Sequence, residues 1–292
     1  MTPAGFAAAL GLPGLLDLHT HFLPPRVLAK VRAQFDAAGP LSGRSWPLHY
    51  RQDEDDLVEI MRSFGVLGFT ALPYAHKPDM AEFLNDWAAG FAERVPEAAA
   101  CGTFFPEPGV TSYVASRIAS VGVWKVHVQV GAFTVTDPLL DEAWGLLAEA
   151  GTPVVLHAGS GPVPTEHTGP GPVEALLRRH PRLRLVIAHA GAPEYADFLR
   201  LAETHERVGL DTTMAFTGFF EEMGGAYPAE LLPRLRDLGL EGRVFLGSDF
   251  PNIPYPYADQ LEALARLDLG DDWPRAVCHD NASKLGIFAS GS

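Results

Sequence analysis

Four apolar segments of this chain end in side chains that can bind a metal ion. The first, residues 14–18, is followed by His19-Thr20-His21, and later segments end in His157, His189 and Asp249. A short apolar run bounded by turn residues is typical of a buried strand. Imidazoles and carboxylates at the ends of buried strands need a reason, and four such ends in one chain indicate a metal site.

The spacing of these residues predicts how they would meet. Residues i and i+2 of a strand face the same side, so His19 and His21 can direct both imidazoles to one point. His157 and Asp249 end other strands and can reach the same point. Three imidazoles and a carboxylate suit a divalent ion such as Zn²⁺ and leave a position for water. We therefore expect one divalent ion per chain, with Zn²⁺ as the first choice.

Other polar residues near these strand ends have more than one interpretation. His189 is expected to be a general acid/base beside the ion, or else an alternative ligand. Asp17 either orients an imidazole or accepts hydrogen bonds from the backbone. Lys125 and His127 share one face of the fourth strand. Lys125 is a candidate for a carbamate that bridges two ions, for a partner of Asp249 or of a substrate carboxylate, and for a structural ion pair.

The elements that must position these residues follow a regular alternation of apolar runs and amphipathic helices. Eight strands are predicted, at residues 15–19, 69–73, 99–105, 123–128, 153–157, 185–189, 208–211 and 244–249. Such alternation implies a parallel sheet, and eight repeats imply closure into a (β/α)₈ TIM barrel. The rival, an open doubly wound sheet, favours a glycine-rich first turn, whereas here the first strand ends in His-x-His. Residues 1–14 are expected to be a tail and residues 15–292 a single barrel domain.

Three long connections follow strands and therefore lie on the face where barrel enzymes place their active sites. They are residues 22–52, 158–171 and 212–227. Long loops at this face are often lids, although the aromatic residues of the third are also explained by packing between subunits of a homodimer. The candidates for substrate contact, in these loops and elsewhere, are Arg44, Trp46, Arg51, His76, Lys125, His127, Phe216, Phe219 and Phe220.

Composition narrows the class of partner. The 292 residues carry a formal charge of −14, so neither nucleic acid nor an anionic membrane is expected as a partner. No segment approaches the roughly 18 apolar residues of a membrane span. The two cysteines are far apart in sequence, which is typical of a reducing cytoplasm. The expected partner is a small molecule.

Several motifs resemble those of the amidohydrolase superfamily, in particular the branch that includes aminocarboxymuconate-semialdehyde decarboxylase. They are LDLHTHFLP at 16–24, PVVLHAG at 153–159, LVIAHAG at 185–191, LGSDFP at 246–251 and the closing Asp280-Asn281-Ala282. The resemblance spans residues 15–288. It implies metal ligands at His19, His21, His157 and Asp249, with His189 as the catalytic acid/base.

Members of this branch are hydrolases or decarboxylases, so the resemblance leaves the reaction open. We expect a hydrolase of a small amide, ester or lactone, because the superfamily is mostly hydrolytic; Asp249 would take a proton from water and His189 would polarise the carbonyl or protonate the leaving group. The alternative is a decarboxylase of an unsaturated or aromatic acid, in which Arg44 or Arg51 grips a carboxylate. A metal-binding scaffold without catalysis is a remote third reading.

Overall fold

Parallel strands form the centre of the molecule. The structure is a computed structural model that describes residues 1–39 and 44–288. The strands are β1 (Leu15–Asp17), β2 (Val66–Thr70), β3 (Ala98–Ala99), β4 (Cys101–Thr103), β5 (Val123–His127), β6 (Val154–His157), β7 (Leu185–Ile187), β8 (Val208–Asp211) and β9 (Val244–Phe245). They pair in the orders β1-β2-β3 and β4-β5-β6-β7-β8-β9, and every pair is parallel.

The two sets of strands make one closed barrel. β3 and β4 are separated only by Ala100, whose carbonyl still accepts from the backbone of Gly122 at 2.8 Å, so together they occupy one barrel position. The backbone N–H of Leu18 donates to the carbonyl of Leu246 at 2.8 Å and joins the first and last positions. Eight positions result, which confirms the predicted (β/α)₈ TIM barrel.

Helices surround the barrel because each has one apolar face to bury. Those of seven or more residues are Pro3–Ala9, Pro25–Asp36, Glu54–Ser63, Ala81–Arg94, Val110–Arg117, Asp141–Ala150, Pro170–Arg179, Tyr195–Thr204, Gly218–Gly224, Leu232–Leu240 and Tyr257–Arg266. Glu54–Ser63 shows the local logic. The carboxylate of Asp53 accepts the backbone N–H of Asp56 at 3.1 Å and caps the first turn, while Leu57 and Met61 are buried.

Alternation along the strands separates the barrel interior from the layer under the helices. Val123, Val155 and Val186 belong to an apolar cluster that takes side chains from strands all round the barrel. Their neighbours, such as Trp124 and Leu156, belong to the larger core beneath the helices. Because side chains two residues apart share a face, residues 125, 127 and 157 lie above the interior valines, at the carboxyl ends of the strands.

Several sequence-based boundaries need correction; the last strand, for example, ends at Phe245 rather than at residue 249. The second strand runs over Val66–Thr70 rather than 69–73, because Gly65 turns the chain at φ +73° and the ladder to β1 begins at Val66. Residues 3–9, expected as part of a tail, form a helix capped by the Thr2 hydroxyl, with Phe6 buried. In the described residues, no helix is long and apolar enough to cross a membrane.

Candidate metal centre and active site

Three side chains from the two ends of the chain meet at the carboxyl end of the barrel. His19 and His21 follow β1, and Asp249 lies beyond β9. The Nε2 atoms of the two histidines are 3.2 Å apart, and Oδ1 of Asp249 is 2.9 Å from His21 Nε2 and 3.5 Å from His19 Nε2. This is the one group of potential metal-binding side chains that converges within the described ranges.

The second nitrogen of each imidazole fixes which nitrogen carries the proton. His19 Nδ1 lies 2.8 Å from Oδ2 of Asp211, and His21 Nδ1 lies 2.8 Å from the carbonyl oxygen of Leu72. Both partners only accept in these roles, so each Nδ1 carries hydrogen and each Nε2 presents a lone pair to the centre. Two lone pairs and a carboxylate oxygen at these distances repel one another unless a cation lies between them. The donor set therefore fits a divalent metal ion.

Burial keeps this centre in the required protonation states. Desolvation lowers the pKa of His19 to about 3, and the nearby ammonium of Lys125 acts in the same direction, so the imidazole is neutral at pH 7. Burial opposes ionisation of Asp249, but the neighbouring imidazoles outweigh it and hold the pKa of that carboxyl below its usual value. Neutral imidazoles and a carboxylate are the forms that bind metals.

Asp211, at the end of β8, is the orienting carboxylate that the sequence analysis did not assign. Its Oδ2 accepts from His19, and its Oδ1 accepts the backbone N–H groups of His189 at 2.9 Å and Thr213 at 3.1 Å. Asp17 instead bonds the backbone N–H of His19 and the hydroxyl of Tyr257, at 3.1 and 2.8 Å. Of the two readings of Asp17, the backbone-bonded one is therefore observed. The signal for Asp211 was present, because an apolar run ends in it.

Lys125, His127 and His157 surround the centre without joining its three ligand atoms. Lys125 is fully buried, its Nζ lies 3.1 Å from His19 Nε2, and desolvation lowers its pKa to about 8. The rings of His127 and His157 stack with their centroids 3.9 Å apart. His157 Nε2 faces the carbonyl of Gly161 at 3.1 Å, so the structure does not bring it together with the other expected ligands.

His189 and Asp249 are held in strained backbone conformations. Their φ values are +56° and +67°, in the left-handed region that residues with a Cβ rarely adopt. Such strain costs about 1–3 kcal/mol per residue and is concentrated at functional sites. The Nδ1–H of His189 donates to the carbonyl of Thr213 at 3.1 Å, which leaves Nε2 as the acceptor of the neutral ring. Burial lowers the pKa of His189, so the neutral ring is the resting form.

A cavity of about 510 Å³ opens over these residues. Its walls combine the histidines and Asp249 with apolar side chains, including Val31, Phe35 and Phe220. Of the predicted substrate contacts, Trp46, Lys125, His127 and Phe220 line it. The ring of Phe220 is parallel to that of His189, at a centroid distance of 6.1 Å.

Five predicted contacts do not line this cavity. Arg44 is held by Glu222 at 2.7 Å and lies over the ring of Phe219, 4.4 Å from its centroid. Phe219 packs edge-on against Trp46, at 5.0 Å. Both residues therefore support the wall from behind rather than face the cavity.

The remaining three are directed elsewhere for equally local reasons. Arg51 pairs with Asp36 at the surface. Phe216 is buried against Tyr227, with ring centroids 5.2 Å apart. His76 lines a separate, smaller cavity. Position in the sequence predicted the correct face of the barrel for these residues, but it did not predict which neighbouring side chain each would contact.

The lining also includes residues that were not predicted as substrate contacts, among them Tyr74, Gln129, Met214 and Asn252. Tyr74 packs against His21 and His127, with ring centroids 5.3 and 5.4 Å away. All four lie in connections after strands and none is charged at pH 7. No pattern in the sequence distinguishes them from ordinary loop residues.

A family model described as amidohydrolase matches residues 16–285 of this chain. The chain belongs to the amidohydrolase family. The match covers the histidine pair, both later strand-end histidines and Asp249, so it confirms the superfamily predicted from the motifs and, with it, the prediction of an enzyme. A search of curated protein sequences found no match.

Solved structures share the fold of this amidohydrolase at low sequence identity. An uncharacterised TIM-barrel protein from Bordetella bronchiseptica is 16% identical, with 93% of this chain and 98% of that chain covered and a TM-score of 0.72. A 5-carboxyvanillate decarboxylase from Novosphingobium aromaticivorans, solved with manganese, is 14% identical over 93% and 95%, with a TM-score of 0.62. A probable 2-pyrone-4,6-dicarboxylic acid hydrolase from Acinetobacter baumannii is 14% identical over 93% and 98%, with a TM-score of 0.58.

Proposed function

We propose that the chain is a metal-dependent hydrolase that hydrolyses a small amide, ester or lactone of a carboxylic acid. The observation that carries the proposal is the convergence of two imidazole lone pairs and a carboxylate at the bottom of a cavity large enough for a small organic acid. An accessible cavity over this donor set also argues against a purely structural metal site.

The proposed ligands are His19, His21 and Asp249, with His157 as a fourth ligand that requires its ring to leave the carbonyl of Gly161. A divalent ion at this position lowers the pKa of a water molecule toward 7 and polarises a carbonyl oxygen. Zn²⁺ suits neutral imidazoles and a carboxylate. The manganese of the 5-carboxyvanillate decarboxylase makes Mn²⁺ the second metal to test.

His189 is the proposed proton carrier. Its free Nε2 accepts the proton of the attacking water, and the resulting imidazolium returns that proton to the leaving nitrogen or oxygen. Asp249 is ionised and in contact with His21, so it can share the first proton transfer. Because Nε2 of the resting ring has no hydrogen, His189 cannot polarise the substrate carbonyl before it has taken this proton.

The walls define the substrate class. Trp46, Phe35 and Phe220 offer flat apolar surface, which suits a planar or unsaturated body. Lys125 is the one lysine on the cavity wall, and no arginine lines it within the described ranges. A substrate with a planar body fits this lining when hydrolysis yields one acid group, either as a released acid or by opening of a lactone ring. The structurally similar hydrolase named for a pyrone dicarboxylate and the decarboxylase named for a carboxyvanillate are both named for planar acids, although each of those acids carries two carboxylates.

Decarboxylation of a planar acid is the second candidate. The observation that favours it is the position of His189 between the metal-binding residues and the Phe220 ring. A planar substrate whose edge points towards the metal-binding residues would there lie within reach of a protonated His189 imidazole. In this reaction His189, whose Nε2 carries no hydrogen at rest, would first take a proton from water and then deliver it to the carbon that loses CO₂. Lys125, rather than Arg44 or Arg51, would be the cation available to the departing carboxylate.

One experiment separates the two reactions. The protein, loaded with Zn²⁺ or with Mn²⁺, is given 2-pyrone-4,6-dicarboxylate, 5-carboxyvanillate and a panel of aromatic lactones, esters and amides. Acid release without CO₂ supports the hydrolase, whereas CO₂ evolution assigns the chain to the decarboxylases. Turnover of peptides or phosphate esters in preference to every planar acid derivative would contradict both. A homodimer remains a prediction, to be tested by light scattering.

A further inference from the structure

A second cavity, of about 300 Å³, lies beside the metal cavity. Helix Pro25–Asp36 separates the two, and Val31 and Gln34 of this helix line both. The opposite wall comes from the connection after β2, which carries His76 and Lys77. None of the residues in the proposed catalytic apparatus lines this space.

Positive charge is concentrated in this second cavity. The chain has only four lysines, and two of them, Lys30 and Lys77, line it together with His76. Within residues 1–39 and 44–288, neither lysine pairs with a carboxylate. Asp79 is the single acidic residue of the lining, and its backbone N–H is bound by Glu107 at 2.6 Å. In a chain of net charge −14, such a site is a local attraction for an anion.

The three basic groups face a common space, since Lys30, His76 and Lys77 all line the second cavity. Partial burial lowers the pKa of His76, and the charges of Lys77 and Lys30 lower it further. At pH 7 the two ammonium groups repel each other beside a neutral imidazole, and an anion bound between them would offset that repulsion. The imidazole adds a hydrogen-bond donor without requiring a third charge.

Apart from Gln34, the rest of the cavity lining is apolar and partly exposed to solvent. Val27, Val31 and Met80 form its lining, and the ring of Phe83, 55% exposed, stands beside them. An inorganic anion would leave this surface in contact with water, whereas an acid with a flat hydrocarbon body would cover it. We infer that the second cavity binds a small aryl carboxylate, with its acid group between Lys30 and Lys77 and its ring against Met80 and Phe83. This site does not require a metal ion and is separate from the proposed active site.

The second cavity lies where it could supply acids to the metal cavity. An acid bound there is one helix away from the metal cavity, and the two spaces share Val31 and Gln34. An acidic protein repels acidic substrates and products, and a basic cavity beside its active site raises their local concentration. The inference would stand even if the metal cavity had a different reaction, because it rests on the charge and lining of this second space alone.

Methionine methyl resonances can report the two cavities separately. Met80 lines the second cavity and Met214 lines the metal cavity. Protein labelled with ¹³C at the methionine methyl groups is titrated with benzoate, with benzamide as the neutral control and with inorganic phosphate, in metal-loaded and metal-free form. We expect benzoate to shift the Met80 methyl saturably in both forms, and benzamide and phosphate to have much weaker effects.

Charge variants test the role of the lysines. The double variant Lys30→Gln/Lys77→Gln should weaken benzoate binding at Met80 by at least about fivefold, whereas Lys284→Gln, an exposed lysine elsewhere, should not change it. Asp79→Asn should strengthen binding, and Asn tolerates the φ of +62° at this position.

Three results would overturn the inference: a shift of Met214 alone, equal binding of benzamide, or binding that survives loss of both lysines. Failure of the proposed enzymatic reaction would show instead as absence of turnover, with the Met80 response intact.

Discussion

Replacement of Asp211 by Asn tests how the fold presents the lone pair of His19. Asp211 accepts the Nδ1–H of His19 at 2.8 Å through Oδ2, and the backbone N–H groups of His189 and Thr213 through Oδ1. Asn has one acceptor oxygen, and the two fixed backbone donors hold it on their side. The amide nitrogen then faces His19 and donates, so Nδ1 must accept and the proton moves to Nε2. An ion needs a lone pair at that Nε2.

The expected effect of Asp211→Asn is on metal affinity. Partners that orient metal-binding histidines typically contribute 10–100-fold in affinity, equivalent to about 1.4–2.7 kcal/mol. Competition with a chelator at pH 7 measures the Kd for Zn²⁺, and circular dichroism checks that the variant is folded. Asp17→Asn is the matched control, because that carboxyl contacts the His19 backbone and Tyr257 rather than an imidazole. A folded Asp211→Asn protein with unchanged Zn²⁺ affinity would refute the tautomer argument.

Three further predictions concern catalysis, packing and pH. His189→Ala should retain the metal and lose about 10²–10⁴-fold in kcat; parallel loss of metal and turnover would make His189 a ligand. Gly247→Ala should lower stability by about 1–3 kcal/mol and reduce metal occupancy, because its Cβ would lie 2.9 Å from the Cβ of His19, whereas Gly171→Ala meets nothing within 4 Å and should be close to neutral in a thermal melt. The pKa of His19 falls from 6.5 to about 3 on folding, so the metal-free protein should lose stability as pH falls from about 6.5 towards 3. Asp17, whose pKa burial raises to about 7, opposes this trend, and urea midpoints that rose steadily on acidification would show that the histidines do not dominate.

The barrel could be predicted from the sequence because its strands are short apolar runs with a strict place in an alternating pattern. The same pattern put His19, His21 and Asp249 at strand ends on one side of the sheet. The distances between their nitrogen and oxygen atoms then follow from closure of the barrel, which brings the first and last strands together. Asp249 lies 230 positions after His19, so only the fold class connected it to the histidine pair.

The hydrogen-bond and ion-pair partners of the polar side chains could not be predicted, because they depend on strand register and on side chains that are distant in sequence. Asp17 and Asp211 are the last residues of β1 and β8, yet only Asp211 reaches the His19 imidazole, across 192 residues. Arg44 and Arg51 were candidates for a substrate carboxylate because they are cations near the active face. Each arginine instead pairs with a neighbouring carboxylate, Arg44 with Glu222 and Arg51 with Asp36, because its long flexible side chain can reach that carboxylate.

The metal centre itself is tested most directly by counting and locating the metal in protein purified without chelator. Elemental analysis and anomalous diffraction should find one divalent ion per chain, bonded to Nε2 of His19 and His21 and to a carboxylate oxygen of Asp249. Lys125 should carry no added CO₂ in the electron density. Two ions bridged by a carbamate on Lys125, or protein that neither contains nor takes up a metal ion at these three residues, would contradict the account.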